Sequence, residues 1–227
     1  MSRGVLDLVG NTPIIKLRNV TPDRGAEVWL KYEAGNPTGS YKDRVAMSVL
    51  NNAISRHDVS PGDTIVEYTG GSTGSSLAFV SAALGLKFVA VFSDAFSQSK
   101  QLTMEAFGAE VIVEESYGKG ITPELIERMK DRAMSLCDDA NAYYVDQFGS
   151  SDVTVGYEPM GQEIADALDC DVDLLCASVG TGGALMGTWQ GLVKSGSKVN
   201  VVAFEPAQSP FLTTGKGGAH KVEGIGV

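Results

Sequence analysis

The chain has 227 residues, of which 43% are hydrophobic and 20% are charged, and these values exclude a disordered polypeptide. Its net charge of −10 at pH 7 argues against nucleic acid or an anionic membrane surface as a partner, since both select clustered Lys and Arg. A charge interrupts the N-terminal segment early and no later apolar run reaches membrane-spanning length, so we expect a soluble, cytoplasmic protein without a membrane contact.

Short apolar runs alternate with longer helical patterns along most of the chain. The apolar and β-branched runs predict strands at 64–68, 87–92, 109–113, 142–145, 174–178 and 199–204. The longer patterns predict a helix through Leu77, Val80 and Leu84, and further helices at 98–107, 123–136, 155–168 and 183–193. Because strand and helix alternate, we predict an α/β fold with parallel-rich sheets covered by helices on both faces. Such folds bind ligands at the carboxyl ends of their strands.

Two breaks in composition, near residues 35–37 and 148–151, suggest a division into two domains. We predict that residues 36–148 form a smaller domain. Residues 1–35 and 149–227 then form a larger, discontinuous domain around it.

The cysteines and histidines point to no metal or disulfide framework. Cys137, Cys170 and Cys176 are odd in number and lack a C-x-x-C spacing, and Cys176 falls in an apolar run. We therefore expect buried, reduced thiols and a reducing compartment. His57 and His220 lie far apart without a metal-ligand pattern, so no metal site is predicted.

Lys42 lies where a loop turns into a helix. Pro37 and Gly39 break the preceding structure, Ser40 can serve as an N-cap, and Asp43 three residues later completes a pattern like a capping box. A lysine amine held in this way can form a Schiff base with an aldehyde cofactor. The alternative is a solvated lysine in the first turn of a capped helix.

Two glycine-rich loops each follow a predicted strand and open a predicted helix. One covers residues 69–76 and the other covers 179–184. Backbone N–H groups, small hydroxyls and the positive end of a helix dipole meet at such a turn, which suits a carboxylate or a phosphate. The alternative for either loop is a tight turn whose glycines serve only close packing.

The second loop also contains part of a dinucleotide-binding fingerprint. Gly180 and Gly182 follow a strand, and Glu205 ends the next strand at nearly the expected distance. The third glycine is absent, because Leu185 stands in its place. A nucleotide-binding oxidoreductase is therefore a weaker alternative, and it leaves Lys42 unexplained.

Several motifs together resemble one family. In chain order they are Gly10-Asn11-Thr12-Pro13, Asn36-Pro37, Ser40-x-Lys42-Asp43-Arg44, Thr69-x-Gly71-x-Thr73-Gly74, Gly108-Ala109, Gln147-Phe148, Gly180-Thr181-Gly182-Gly183 and Gly224-Ile225-Gly226. This order is similar to that of the cysteine synthase and cystathionine β-synthase family of fold-type II pyridoxal-phosphate enzymes. The resemblance spans essentially the whole chain, and it implies the two-domain, tryptophan synthase β-like fold.

The resemblance implies a role for each matching residue. Lys42 would hold pyridoxal 5'-phosphate as a Schiff base and then move the α-proton of the substrate. The remaining cofactor-binding residues would be Ser72, Gly180, Thr181, Gly182, Gly183, Ala184 and Gly224, the last through its main chain. The substrate carboxylate would be bound by Thr69, Gly70, Gly71, Ser72, Thr73 and Gln147.

The chain also departs from the family pattern. The family usually carries Thr-Ser-Gly-Asn-Thr-Gly, where this chain has Gly70 in place of the serine and Ser72 in place of the asparagine. Ala184 replaces a threonine of the phosphate loop, and Tyr41 resembles the aromatic residue of threonine synthases. The chain also stops just after Gly226, where family members continue to a Ser or Thr that meets the pyridine nitrogen. We therefore expect a fragment or an incomplete chain that lacks the C-terminal part. The alternative is a truncated product that completes its site in another way.

The resemblance implies β-elimination and β-replacement on a serine-like amino acid. A cysteine synthase that joins O-acetylserine and sulfide, acting as a homodimer, is the favoured member. A serine or threonine dehydratase, a cystathionine β-synthase-like enzyme that uses another thiol, and a threonine synthase-like enzyme remain open. So does a catalytically silent binding protein of the same fold.

Overall fold

The first described segments of the chain form a small antiparallel pair. This computed structural model describes residues 4–19, 21, 25–140, 142–218, 220, 222 and 224–225. Strands β1 (Ile14–Leu17) and β2 (Val28–Lys31) pair with Ile14 opposite Lys31, between short 3-10 turns at Val5–Leu8 and Glu33–Gly35.

The central part of the chain forms a parallel four-stranded sheet. Helix α1 (Lys42–Ser55) precedes β3 (Thr64–Tyr68), and then follow α2 (Ser72–Leu84), β4 (Lys87–Ser93), α3 (Gln98–Ala106), β5 (Glu110–Glu114), α4 (Pro123–Ala140) and β6 (Tyr143–Tyr144). The strand order is β5-β4-β3-β6, and Ile65 of β3 stands opposite both Phe88 and Tyr143. The predicted α/β fold and its parallel strands are confirmed.

The last described elements form a second parallel unit. Helix α5 (Ser151–Ala167) leads to β7 (Leu174–Ser178), α6 (Gly183–Lys194), β8 (Asn200–Phe204) and the short α7 (Phe211–Thr214). Helices α5 and α6 approach until their backbones touch, since a Cβ at Gly161 or Gly191 would overlap main-chain atoms of the other helix. This close approach fixes the loop that opens α6.

The prediction that helices cover both faces of the sheets is right for the central sheet and wrong for β7 and β8. Ile65, Val66, Ala90 and Val91 are buried, because α2 and α4 pack against β3 and β4. By contrast, every residue of β8 is exposed and Phe204 is 52% exposed. Helix α6 packs on β7 but leaves most of both strands uncovered.

The cysteine prediction also fails in part. All three thiols are free, but Cys170 and Cys176 are exposed and Cys137 is half-buried. Cys176 lies on β7, whose apolar sequence had suggested burial. The thiol is exposed because β7 and β8 are the uncovered pair.

Helix α1 lies between the two parallel units. It packs against α2 on one side and against α5 on the other, and it buries Val45, Val49 and Leu50. The predicted domain boundaries at 35/36 and 148/149 stay a prediction. Among the described helices, none is both long and apolar enough to cross a membrane.

Candidate active site

Lys42 is the first residue of α1, and the turn before it is held by side chains. Ser40 Oγ accepts the backbone N–H of Lys42 at 3.1 Å. Asp43 does not form the predicted capping box with Ser40. Its carboxylate accepts the N–H of Thr38 at 2.8 Å and the Thr38 hydroxyl at 2.6 Å, because the chain folds back five residues to reach it. Tyr41, rather than Ser40, occupies the capping position.

The Lys42 amine is half-buried and makes no ion pair among the described residues. Its Nζ lies 5.5 Å from the centre of the Tyr41 ring. Burial lowers the pKa of Lys42 to about 8, although the nearby charge of Glu67 acts in the opposite direction. A substantial fraction of this amine is therefore neutral and nucleophilic near physiological pH.

Glu67 is a fully buried carboxyl on β3, and the sequence-based site did not include it. Its Oε1 accepts the N–H of Tyr68 at 2.9 Å and its Oε2 accepts the N–H of Gln147 at 3.0 Å. Burial raises the pKa of Glu67 to about 8, against the effect of these two donors. A lone charged residue in an otherwise apolar strand was the signal that could have identified it.

The loop after β3 is held together by its own hydroxyl groups. Thr69 Oγ1 accepts the N–H groups of Gly71 and Gly74, both at 3.2 Å. Thr73 donates from its hydroxyl to Gln147 Oε1 at 2.7 Å, and Gln147 Nε2 donates to the Tyr68 carbonyl at 3.2 Å. The structure thus brings together Thr69, Thr73 and Gln147. The hydrogen bond between Thr73 and Gln147 joins residues that are 74 positions apart in the chain.

The same loop leaves donors free at the start of α2. Within the described part of the chain, the N–H groups of Ser72 and Thr73 and the hydroxyl of Ser72 have no hydrogen-bond partner. Gly71 is extended, and Gly70 lies against the ring of Phe96. These donors and the helix dipole form a cradle for a carboxylate.

The loop after β7 forms a second cradle at the start of α6. Gly182 has φ +80°, and no atom lies within 4 Å of the position that a Cβ would take there. Among the described residues, the N–H groups of Gly182, Gly183 and Ala184 and the hydroxyl of Thr181 have no partner. Such a set of free donors, with open space in front of it, suits a phosphate.

Gly183 and Gly180 pack this loop closely on its neighbours. A Cβ at Gly183 would lie 2.5 Å from Cγ1 of Val153, and one at Gly180 would lie 2.6 Å from the carbonyl oxygen of Gly224. The main chain of Gly224 therefore lies directly against the second cradle. Gly226, which completes the last motif, lies outside the described residues.

Two tyrosines connect the second cradle with Lys42. The Tyr157 ring is wholly buried and its centre lies 5.6 Å from that of Tyr41. Its Cε2 is 3.6 Å from the position of a Cβ at Gly183. Among the residues that the structure describes, the Tyr157 hydroxyl has no hydrogen-bond partner, and burial raises its pKa well above the usual range. Sequence patterns gave no signal for this residue, because aromatic residues within helices usually serve the core.

Glu205 does not have the geometry of a ribose-binding residue. Its carboxylate accepts the N–H groups of Leu212 and Thr213 at 2.6 and 3.0 Å, together with the Thr213 hydroxyl at 2.6 Å. The side chain therefore holds the start of α7. The resemblance to a dinucleotide fingerprint was misleading, because Glu205 serves this local turn.

Comparison with known proteins identifies the family of this chain. A family model described as "Pyridoxal-phosphate dependent enzyme" matches residues 5–227. Cysteine synthase of Staphylococcus aureus (strain Mu50) is 36% identical over 230 residues, which cover 98% of this chain and 70% of that protein. The crystal structure of O-ureido-L-serine synthase superposes with a TM-score of 0.90 at 31% identity, covering 99% of this chain and 70% of that one. The crystal structure of cysteine synthase from Entamoeba histolytica superposes with a TM-score of 0.90 at 31% identity, and the match covers 100% of this chain and 67% of that one.

Proposed function

The chain belongs to the family of pyridoxal-phosphate-dependent enzymes, and from this premise we propose that it acts as a cysteine synthase. In this reaction a serine-like amino acid with an activated side-chain oxygen, such as O-acetylserine, exchanges that group for sulfide. One observation carries the proposal. A lysine whose amine is partly neutral near pH 8 begins α1, and Tyr41 and Tyr157 link it to the cradle at the start of α6.

The described residues fit the cofactor of this family. The open space in front of Gly182, with its unused N–H groups, is a cradle that a side chain would fill. We assign the phosphate to Gly180, Thr181, Gly182, Gly183 and Ala184, with the Gly224 main chain beside them, and the aldehyde to Lys42 Nζ. Ser72 is assigned to the cofactor ring as well as to the substrate. Pyridoxal phosphate, when bound, supplies an electron sink for the charge left at the substrate's α-carbon.

Lys42 would also serve as the base. Nζ would accept the α-proton of the substrate and later return it. A base works best when its pKa lies near the working pH, and the value of about 8 for this amine meets that condition.

The first cradle would bind the substrate carboxylate. The N–H groups of Ser72 and Thr73 point their dipoles there, and Thr69, Gly70 and Gly71 shape the turn. The Thr69 hydroxyl oxygen already accepts two N–H groups, so its remaining contribution to a carboxylate is its proton. Gln147 would orient Thr73 through the 2.7 Å hydrogen bond between them.

The proposal also includes a cytoplasmic location and a homodimeric assembly. Three free thiols, two of them exposed, support a reducing cytoplasm. Val28, Trp29 and Leu30 on β2 are exposed, and apolar surface of this kind supports a homodimer. Sedimentation of the purified protein would check the homodimer.

The test combines a spectrum with an assay. Purified protein with pyridoxal phosphate should develop a visible absorption band that disappears on borohydride reduction, with the reduced cofactor mapped by mass spectrometry to Lys42. Cysteine should form from O-acetylserine and sulfide. Lys42→Ala should abolish both, whereas Lys87→Ala, at an exposed lysine, should abolish neither. A trapped cofactor on another lysine would refute the assignment. A normal band without turnover on any β-substituted alanine would favour a silent binding protein.

A further inference from the structure

Gly70 and Phe96 form a close contact that the family motif does not contain. A Cβ built at Gly70 would lie 2.5 Å from Cδ1 and 2.6 Å from Cζ of Phe96. The ring edge therefore stands where a side chain at position 70 would begin. The usual serine of the family cannot occupy position 70 unless this ring moves.

The ring packs on Phe92, which is buried, with 5.7 Å between the ring centres. Its backbone N–H donates to the Ser93 carbonyl at 3.1 Å, which closes a turn directly after β4. The neighbouring Asp94 carboxylate accepts the N–H of Ser116 at 2.7 Å and so anchors that turn. The backbone turn that carries the ring is thus held in place.

The contact lies at the edge of the sheet where the first cradle is built. Gly70 follows β3 and Phe96 follows β4, and these are neighbouring parallel strands with Tyr68 opposite Val91. Their carboxyl ends meet at one edge, where α/β folds bind ligands. Gly70 is two residues from Ser72, whose hydroxyl has no partner among the described residues. An apolar ring therefore replaces a hydroxyl group beside the cradle.

We propose that Phe96, made possible by Gly70, is a specificity-determining residue that selects serine-like substrates whose β-substituent is uncharged, such as an acetyl ester, over those with a phosphate. This inference rests on the proposed function. An aromatic wall offers no donor to a phosphate dianion and takes water away from it, and an unpaired charge beside apolar surface is costly. An uncharged acetyl group loses little hydration free energy beside the same ring.

The experiment compares two substrates on the cofactor-loaded enzyme. We would measure kcat/KM for O-acetyl-L-serine and for O-phospho-L-serine in wild type, Phe96→Leu and Phe107→Leu. Phe107 is the matched control, because it is a half-buried phenylalanine that packs on Phe79, 5.6 Å between ring centres, outside the two loops. Phe96→Leu should reduce the preference for the acetyl ester by about tenfold, and Phe107→Leu should leave it unchanged.

A double-mutant cycle provides a readout that needs no turnover. Gly70→Ser should lower the thermal midpoint in the wild-type background, and it should lower it much less in Phe96→Ala, because the ring is then absent. The apparent Kd of each amino acid, followed by the change that it causes in the bound cofactor's absorption, gives the preference even if no product forms.

The outcomes separate the two hypotheses. An unchanged substrate preference in Phe96→Leu, by rate or by Kd, overturns the inference, and so does equal destabilisation by Gly70→Ser in both backgrounds. A shifted Kd preference without turnover on either ester leaves the role of Phe96 intact and contradicts the proposed function instead.

Discussion

The Glu67 carboxylate reaches across the sheet and accepts the backbone N–H of Gln147 at 3.0 Å. Its other oxygen accepts the N–H of Tyr68 at 2.9 Å. A fully buried side chain with two backbone donors therefore fixes the relative positions of the strand end that leads into the first cradle and of Gln147.

Replacing Glu67 with Leu should destabilise the protein by about 1–3 kcal/mol. A leucine side chain accepts no hydrogen bond, so the buried N–H groups of Tyr68 and Gln147 would lose their partner. Urea unfolding followed by circular dichroism measures the change. Glu110→Leu, at an exposed glutamate on β5, is the control and should change stability by less than about 0.5 kcal/mol. Equal midpoints for Glu67→Leu and wild type would contradict the hydrogen-bonding role.

The stability of the protein should depend on the protonation of Glu67. The folded pKa is about 8, above the ordinary value of about 4.3, so the folded state binds this proton more tightly than the unfolded state does. The stabilisation of the folded state by protonated Glu67 is complete below about pH 4.3 and is lost as pH rises towards 8. The free energy of unfolding of wild type relative to Glu67→Gln should therefore fall across this window. A difference that is flat between pH 5 and 8 would contradict the raised pKa.

Attachment of the cofactor to the apo-protein should report the lowered pKa of Lys42. Only the neutral amine attacks an aldehyde, so the rate should rise about tenfold per pH unit and level off above about pH 8. With an ordinary lysine, the rate of attachment would continue to rise up to about pH 10.4. Stopped-flow absorption measures the rate. In Glu67→Gln the plateau should begin at lower pH, since the charge that opposes the shift is removed.

Glu163→Gln should cost about 3 kcal/mol of stability. Arg44 is 4% exposed and donates to both Glu163 oxygens, at 2.7 and 2.8 Å, so the change removes one of the two carboxylates that pair with this buried cation, the other being Glu33. Asp58→Asn, which weakens an exposed pair with Arg56, should cost less than about 1 kcal/mol.

Acid unfolding tests the same pair. Burial acts to raise the pKa of Glu163, but hydrogen bonds from Arg44 and Lys31 lower it to about 2. Its contribution is therefore present above about pH 4.3 and is lost as pH falls through 2. Equal midpoints of acid unfolding for Glu163→Gln and wild type would argue against a stabilising pair between Glu163 and Arg44.

Ser72 should affect turnover and leave folding unchanged. Its hydroxyl has no partner among the described residues, so Ser72→Ala should keep the thermal midpoint and lower turnover about tenfold, as expected when one hydrogen bond of about 1.4 kcal/mol is lost in the transition state. Ser72→Asn should shift relative turnover towards O-acetylserine. Ser99→Ala, at an exposed serine on α3, is the control. Wild-type rates and preferences in both variants would make Ser72 a turn residue only.

Local patterns were enough to predict most strands, the two glycine-rich loops that open helices and the position of Lys42 at the start of a helix. The strand at Thr64–Tyr68 and the loop after it are encoded within a dozen residues, so periodicity and glycine spacing reveal them. The contact between Phe96 and Gly70 joins separate loops, and the partnership of Glu67 with Gln147 spans 80 residues. No local pattern carries such information. Likewise, the apolar sequence of β8 predicted burial, but exposure depends on which elements pack against the strand.

The pairing of Arg44 with Glu163 also constrains how the chain folds. These residues are 119 positions apart, and Ser48 Oγ donates to the Asp152 carbonyl across 104 positions. The entropy of closing such a loop grows slowly, by about 0.6 kcal/mol for each doubling of length, so the equilibrium cost is modest. The kinetic cost is larger, because non-local contacts form late. We therefore expect the docking of α1 on α5 to slow folding relative to that of the intervening βαβ units, whose contacts are local.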